Sequence, residues 1–153
     1  MRLVFIVFLL ADVYFICQTF GPYRLVMFFT NWTLMFTIAK LALCFICEQR
    51  GGNAKKAKSH KLLALTHIIA ELASLMNVIT VSIYWPLLHA ETYVKAEYTC
   101  CPDRQVHAVF VHSVPAIACF INFLMTDFVM KKSHAFLCVL FGEIYAKLNY
   151  DAQ

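Results

Sequence analysis

The chain has 153 residues, of which 61% are hydrophobic and 14% charged, and it carries a net charge of +4. A water-soluble domain carries roughly a quarter charged residues, so this composition, with a mean hydropathy of +0.69, belongs to a chain that lives in a bilayer. The positive excess is spread over polar connections, which excludes a nucleic-acid surface built on a dense basic patch.

Met1 and Arg2 precede an apolar run over residues 3–11 that has the outline of a signal peptide. Asp12 interrupts the run and no small-residue cleavage site follows, so it reads as a retained first span. The hydrocarbon core takes ~20 apolar residues to cross. Four runs meet that requirement, over residues 3–20, 25–47, 62–88 and 106–130. A fifth, over 135–148, covers only ~21 Å as a helix and is marginal. Gly21-Pro22 turns the chain between the first two spans. The expected fold is a single all-α domain over residues 1–153, a polytopic transmembrane bundle of four spans and a short fifth helix.

Orientation follows from lysine and arginine. Arg2, Arg50, Lys55, Lys56, Lys58, Lys61, Lys131 and Lys132 fall on one side, eight in all; Arg24, Lys95, Arg104 and Lys147 fall on the other. The bias predicts an inside N-terminus and an outside connection over residues 90–105. Of the seven cysteines, Cys17, Cys44, Cys47, Cys119 and Cys138 sit in apolar runs, where thiols behave as small hydrophobes. Adjacent Cys100 and Cys101 do not form a disulfide framework.

Asp12, Lys40 and Glu71 are charges inside three different spans. Each costs ~2.5–3.5 kcal/mol on insertion scales. They are expected to face the bundle and pair with one another, either as packing ion pairs or as an ion or proton path. Asn31-Trp32-Thr33 fits the glycosylation pattern but lies inside a span. Cys44 and Cys47 have redox-pair spacing without the strand–helix setting that chemistry needs. Cys100, Cys101, His107 and His112 match no standard zinc spacing. No metal and no cofactor are expected.

Thr30 and His112 both fall ~8–9 Å below the outer ends of their spans. A hydroxyl and an imidazole at one depth are the minimum for a nucleophile with a general base. They equally suit an interhelical hydrogen bond.

The stretch Phe28 to Thr33 (FFTNWT) resembles the motif opening a span in the Rolling-stone-like and androgen-induced-protein-like membrane families. Ser82-Ile-Tyr-Trp85 resembles the aromatic end of their following span. His112 with Asn122 ten residues on resembles their histidine and acid, and 134–145 the start of their next helix. In the androgen-induced branch the resemblance implies hydrolysis of fatty-acid esters of hydroxy fatty acids by a threonine nucleophile and a histidine. By motif position these roles fall on Thr30 and His112. Asn122 stands where the family has an acid, Pro115 follows His112 by one turn, and the chain ends at Gln153, short of the family's last helix. The missing last helix predicts an opened acyl tunnel.

The expected role is therefore a structural accessory subunit of a larger membrane complex. Its partners would be other membrane subunits and bilayer lipids, with a mitochondrial inner membrane favoured over endoplasmic reticulum or plasma membrane. An active threonine hydrolase is the alternative, and an ion- or proton-conducting element on Asp12, Lys40 and Glu71 is a third reading.

Overall fold

The computed structural model describes residues 1–51, 60–90, 101–126 and 135–151, all of it helix and turn. Helix α1 spans Arg2–Phe20. Gly21, at φ +87, ends it; a Cβ there would sit 3.0 Å from the Tyr23 ring. A one-turn helix α2 (Arg24–Met27) and α3 (Phe29–Gly51) follow. Helix α4 (His60–Ile83) continues directly into a π-helix at Tyr84–Leu88. Then come α5 (Pro102–Leu124) and α6 (Ala135–Asp151). Four of these segments are long and apolar enough to cross a membrane, as expected.

The expected second span, 25–47, is not continuous. Phe28 leaves helical geometry, at φ −110 and ψ 129, and separates α2 from α3. A break inside a bilayer frees backbone groups that must find partners. Here side chains supply them: the Trp32 indole donates to the Val26 carbonyl at 2.8 Å, and the Tyr145 hydroxyl to the Met27 carbonyl at 3.2 Å.

The expected fourth span, 106–130, is shifted. It starts at Pro102, where a first-turn proline loses nothing, and Asp103 suits the first turn. It ends at Leu124, where Thr126 Oγ1 turns back to the Asn122 carbonyl at 2.8 Å. Helix α5 runs on through Pro115, whose missing N–H leaves the Val111 carbonyl without its usual donor. Helix α6, where a short helix over 135–148 was expected, has 17 residues, about 26 Å at the α-helical rise. Of the basic residues used for orientation, Lys55, Lys56, Lys58, Lys95, Lys131 and Lys132 lie outside the described residues, as does most of 90–105.

Helix α3 is central and packs on α1, α4 and α5. It carries two buried stripes. Leu34 and Leu41, with Ile38, meet Leu9 and Ile16 of α1 and Val111 and Ala118 of α5 in an apolar core. The second stripe is polar: Thr30, Thr33, Thr37, Lys40, Cys44 and Cys47, spaced alternately by three and four so that they line one helix face. Every member bonds to α4 or α5. Thr33 meets Thr80 at 3.1 Å, Asn77 donates to Thr37 at 2.8 Å, and Cys47 meets Thr66 at 3.3 Å. Ala70 and Ala73 of α4, both buried, let the backbones approach along this seam. In lipid, where apolar contact alone drives helices together weakly, such a seam fixes rotation and register.

Helix α6 runs antiparallel to α3. Phe141 packs on Phe36, and Tyr145 packs on Phe29 and Trp32. The remaining faces of α1, α4, α5 and α6 expose large apolar side chains, among them Val7, Tyr14, Val78, Phe120 and Phe136. On a membrane protein these are the lipid-facing positions.

Candidate functional site

Thr30 is the second residue of α3, placed there by the break at Phe28. The first backbone bonds of the new helix start from Asn31 and Trp32, both to the Phe28 carbonyl. The N–H groups of Phe29 and Thr30 precede them and find no backbone acceptor among the described residues.

Thr30 Oγ1 lies 3.2 Å from His112 Nε2. The other ring nitrogen, Nδ1, lies 2.5 Å from the Ala108 carbonyl, one turn back on α5. A carbonyl only accepts, so Nδ1 carries the hydrogen and Nε2 presents its lone pair. The Thr30 hydroxyl therefore donates to His112. The imidazole is also held in plane. The Tyr84 ring stacks on it with centroids 3.6 Å apart and an interplanar angle of 7°. Tyr84 opens the π-helix, is almost fully buried, and meets His89 Nδ1 through its hydroxyl at 3.3 Å. The π-turn contains Pro86, which cannot donate to an α-helical ladder.

A pocket of about 90 Å³ borders this pair, lined by Thr30, Asn31, His107, His112, Phe20 and Phe28 among others. His107, on the same wall, is held by Asp12 of α1 through Nδ1 and Oδ1 at 2.8 Å. Phe15 and Phe20 flank its ring, and Arg104 lies over Phe20 near the N-terminus of α5. The second oxygen of Asp12 has no hydrogen-bond partner among the described residues. In the sequence Asp12 is a charge within a span and His107 fits no standard zinc spacing. Their pairing is not legible there, because 95 residues separate them and only the packing of α1 on α5 brings them together.

The three intramembrane charges do not pair with one another as expected. Asp12 meets His107, Glu71 meets His67 one turn back on its own helix at 3.1 Å, and Lys40 donates to Ser74 and to the carbonyl and sulfur of Cys119. The physical reason is reach: each acid has a histidine nearer than Lys40. Asn122 does not face Thr30 and His112. It lies at the opposite end of the bundle, accepting from Arg2 Nε at 2.6 Å, while Arg2 also pairs with Glu48.

Cys44 and Cys47 are free thiols on the seam. Asn31 is buried beside Thr30 rather than at a surface a glycosyltransferase can reach. Cys100 lies outside the described residues. Among the described residues no three histidine, cysteine or acidic side chains group as a metal site.

No known protein family matches the chain, and neither a curated protein nor a solved structure resembles it significantly.

Proposed function

We propose that the chain is an intramembrane threonine hydrolase acting on fatty-acid esters. The observation that carries the reading is the contact of Thr30 Oγ1 with the lone-pair nitrogen of a histidine whose tautomer is fixed from behind. This is the hydroxyl–imidazole relation of a nucleophile and its general base. Thr30 Oγ1 attacks the ester carbonyl as its proton passes to His112 Nε2. The acyl group is then held on Thr30, His112 returns the proton to the departing alcohol, and water reverses the sequence. The first-turn N–H groups of Phe29 and Thr30, which have no backbone acceptor among the described residues, are the donors we assign to the developing oxyanion. The resemblance of residues 28–33 and of His112 to the androgen-induced-protein-like hydrolases supports the same substrate class.

The second reading is an accessory subunit of a membrane complex, in the mitochondrial inner membrane by our preference. It is favoured by the small size of the pocket beside the pair, about 90 Å³. In that case Thr30 and His112 serve as interhelical glue.

Treatment of the purified full chain in vesicles with a fluorophosphonate probe separates the two. The hydrolase reading expects labelling on Thr30, lost in Thr30→Val and in His112→Ala, with parallel loss of long-chain ester hydrolysis. Absence of labelling and of hydrolysis in the folded wild type would leave the accessory reading.

A further inference from the structure

A second set of reactive side chains lies away from Thr30 and His112, near the middle of the bundle. Lys40 Nζ is 2.8 Å from Cys119 Sγ and 3.2 Å from Ser74 Oγ, and Ser74 Oγ is 3.4 Å from Cys119 Sγ. The three close a triangle across α3, α4 and α5. Lys40 is 2% exposed, and no carboxylate forms an ion pair with it among the described residues.

Ser74 and Cys119 also form part of the wall of a groove of about 450 Å³ between α4 and α5. Its other walls are mostly apolar, with Leu75, Val78, Val81, Ala116, Phe120 and Phe123, and include the polar Asn77 and Ser82. Val78 and Phe120 are 63% and 62% exposed, so the groove opens sideways into the lipid rather than toward water. A molecule that reaches Cys119 by this route must be dissolved in the bilayer. Of the other described thiols, Cys17 is on α1, Cys101 precedes α5, Cys44 lies against Asn122 and Cys47 against Thr66; of these four none is in the groove lining.

We propose that Cys119 is a covalent acceptor for electrophilic lipids, specifically long-chain α,β-unsaturated carbonyl compounds, with Lys40 moving the proton. The apolar groove fits the chain, and the triangle supplies nucleophile and proton carrier. The sulfur forms a bond to the β-carbon, and the π pair of the C=C bond shifts to the α-carbon. In the thiolate–ammonium form of the pair the thiol hydrogen already resides on Lys40 Nζ, which donates to the sulfur, delivers one hydrogen to the α-carbon and is left as the neutral amine. The reaction is an addition: nothing leaves, and no oxidant, reductant or water takes part. That suits a site closed to the aqueous phases. The proposal does not depend on the hydrolase reading, since neither Thr30 nor His112 takes part.

The test uses the full chain in vesicles of saturated phospholipid, exposed to a long-chain enal and followed by peptide mass mapping. Cys119 should gain the adduct well before Cys44 and Cys47. Lys40→Met should slow the Cys119 adduct on the order of 100-fold, the low end of what a positioned proton carrier contributes. It should do so without changing the rates at Cys44 and Cys47. Exchanging a buried charge for an apolar side chain of similar volume is commonly tolerated. A second variant, Val78→Trp, narrows the groove from the lipid side and should slow Cys119 alone, so the test stands even if Lys40→Met does not fold. Thr30→Val should leave the adduct unchanged. Reaction at Cys119 no faster than at Cys44, an adduct on Lys40 in its place, or a rate indifferent to Val78→Trp would overturn the proposal.

Discussion

Thr30 and His112, 82 residues apart in the chain, meet at 3.2 Å because two helices depart from regular geometry around them. The break at Phe28 puts Thr30 in the first turn of α3. The π-turn beginning at Tyr84 lays an aromatic ring flat on the imidazole. Irregular backbone is tolerated at membrane depth only where side chains or neighbouring helices take up the freed groups.

The Tyr84 stack should matter through the ring, not the hydroxyl. With centroids 3.6 Å apart and planes within 7°, the ring fixes the direction of His112 Nε2. Tyr84→Phe keeps the ring and should retain most of the turnover. Tyr84→Leu frees the imidazole and should lower kcat by up to about 100-fold, the cost of a misplaced catalytic group, with little change in KM. Steady-state kinetics on a long-chain ester check this. Equal loss in both variants would move the role to the hydroxyl and its contact with His89.

The helix break should depend on Trp32. Its indole is the donor to the Val26 carbonyl. Trp32→Phe keeps the ring and removes the donor, and an unmet carbonyl costs about 1–3 kcal/mol where water is absent. The expected outcome is a loss near the lower bound, because this bond is exposed at the bundle surface, together with reduced labelling of Thr30. Thermal unfolding in detergent and probe labelling measure the two effects. Unchanged stability and labelling would show that Tyr145 alone sustains the break.

The spans were legible because a bilayer imposes run length on the sequence, and no other environment selects four such runs in so short a chain. The break at Phe28 was not, because residues 25–47 are apolar on both sides of it and hydropathy carries no backbone signal. Its compensation lies in Trp32 and Tyr145, and the second is more than a hundred residues away. The π-turn had a visible marker in Pro86. Helical rise pairs Thr30 with His112, although the span ends counted from, 25 and 106, become helix starts at Phe29 and Pro102 in the structure. The polar stripe of α3 was present in the spacing of Thr30, Thr33, Thr37, Lys40, Cys44 and Cys47. Hydropathy does not reveal it, because hydroxyls and thiols set the rotation of a span without breaking its apolar run.

The Thr37–Asn77 layer offers a direct measure of that seam. Asn77 Nδ2 donates to Thr37 Oγ1 at 2.8 Å, and both residues are buried. Asn77 also donates to its own Ala73 carbonyl at 2.7 Å, so part of its amide is satisfied without α3. A double-mutant cycle over Thr37→Val and Asn77→Leu should give a coupling of about 0.6 kcal/mol, the average for interhelical hydrogen bonds in membranes, and at most about 1.7. Steric-trap or denaturant unfolding in bicelles measures it. Coupling indistinguishable from zero would show that small residues and van der Waals packing, not the polar stripe, hold α3 to α4.

The Asp12–His107 pair should behave asymmetrically. Oδ1 of Asp12 meets Nδ1 of His107 at 2.8 Å, with the side chains 5% and 12% exposed, and Oδ2 already lacks a partner among the described residues. Removing the histidine leaves a buried carboxylate with neither oxygen satisfied. Removing the acid leaves an imidazole, which needs no counter-charge in its neutral form. His107→Leu should therefore destabilise the bundle by about 3 kcal/mol or more, the cost of stranding one member of a buried pair, and Asp12→Leu by clearly less. The double variant Asp12→Leu with His107→Leu should recover most of the loss, since apolar replacement of both partners is often neutral. Unfolding of the three variants in one detergent gives the order directly. If the double variant is as unstable as the sum of the two single ones, the pair is not coupled, and His107 is held instead by its contacts with Phe15 and Phe20.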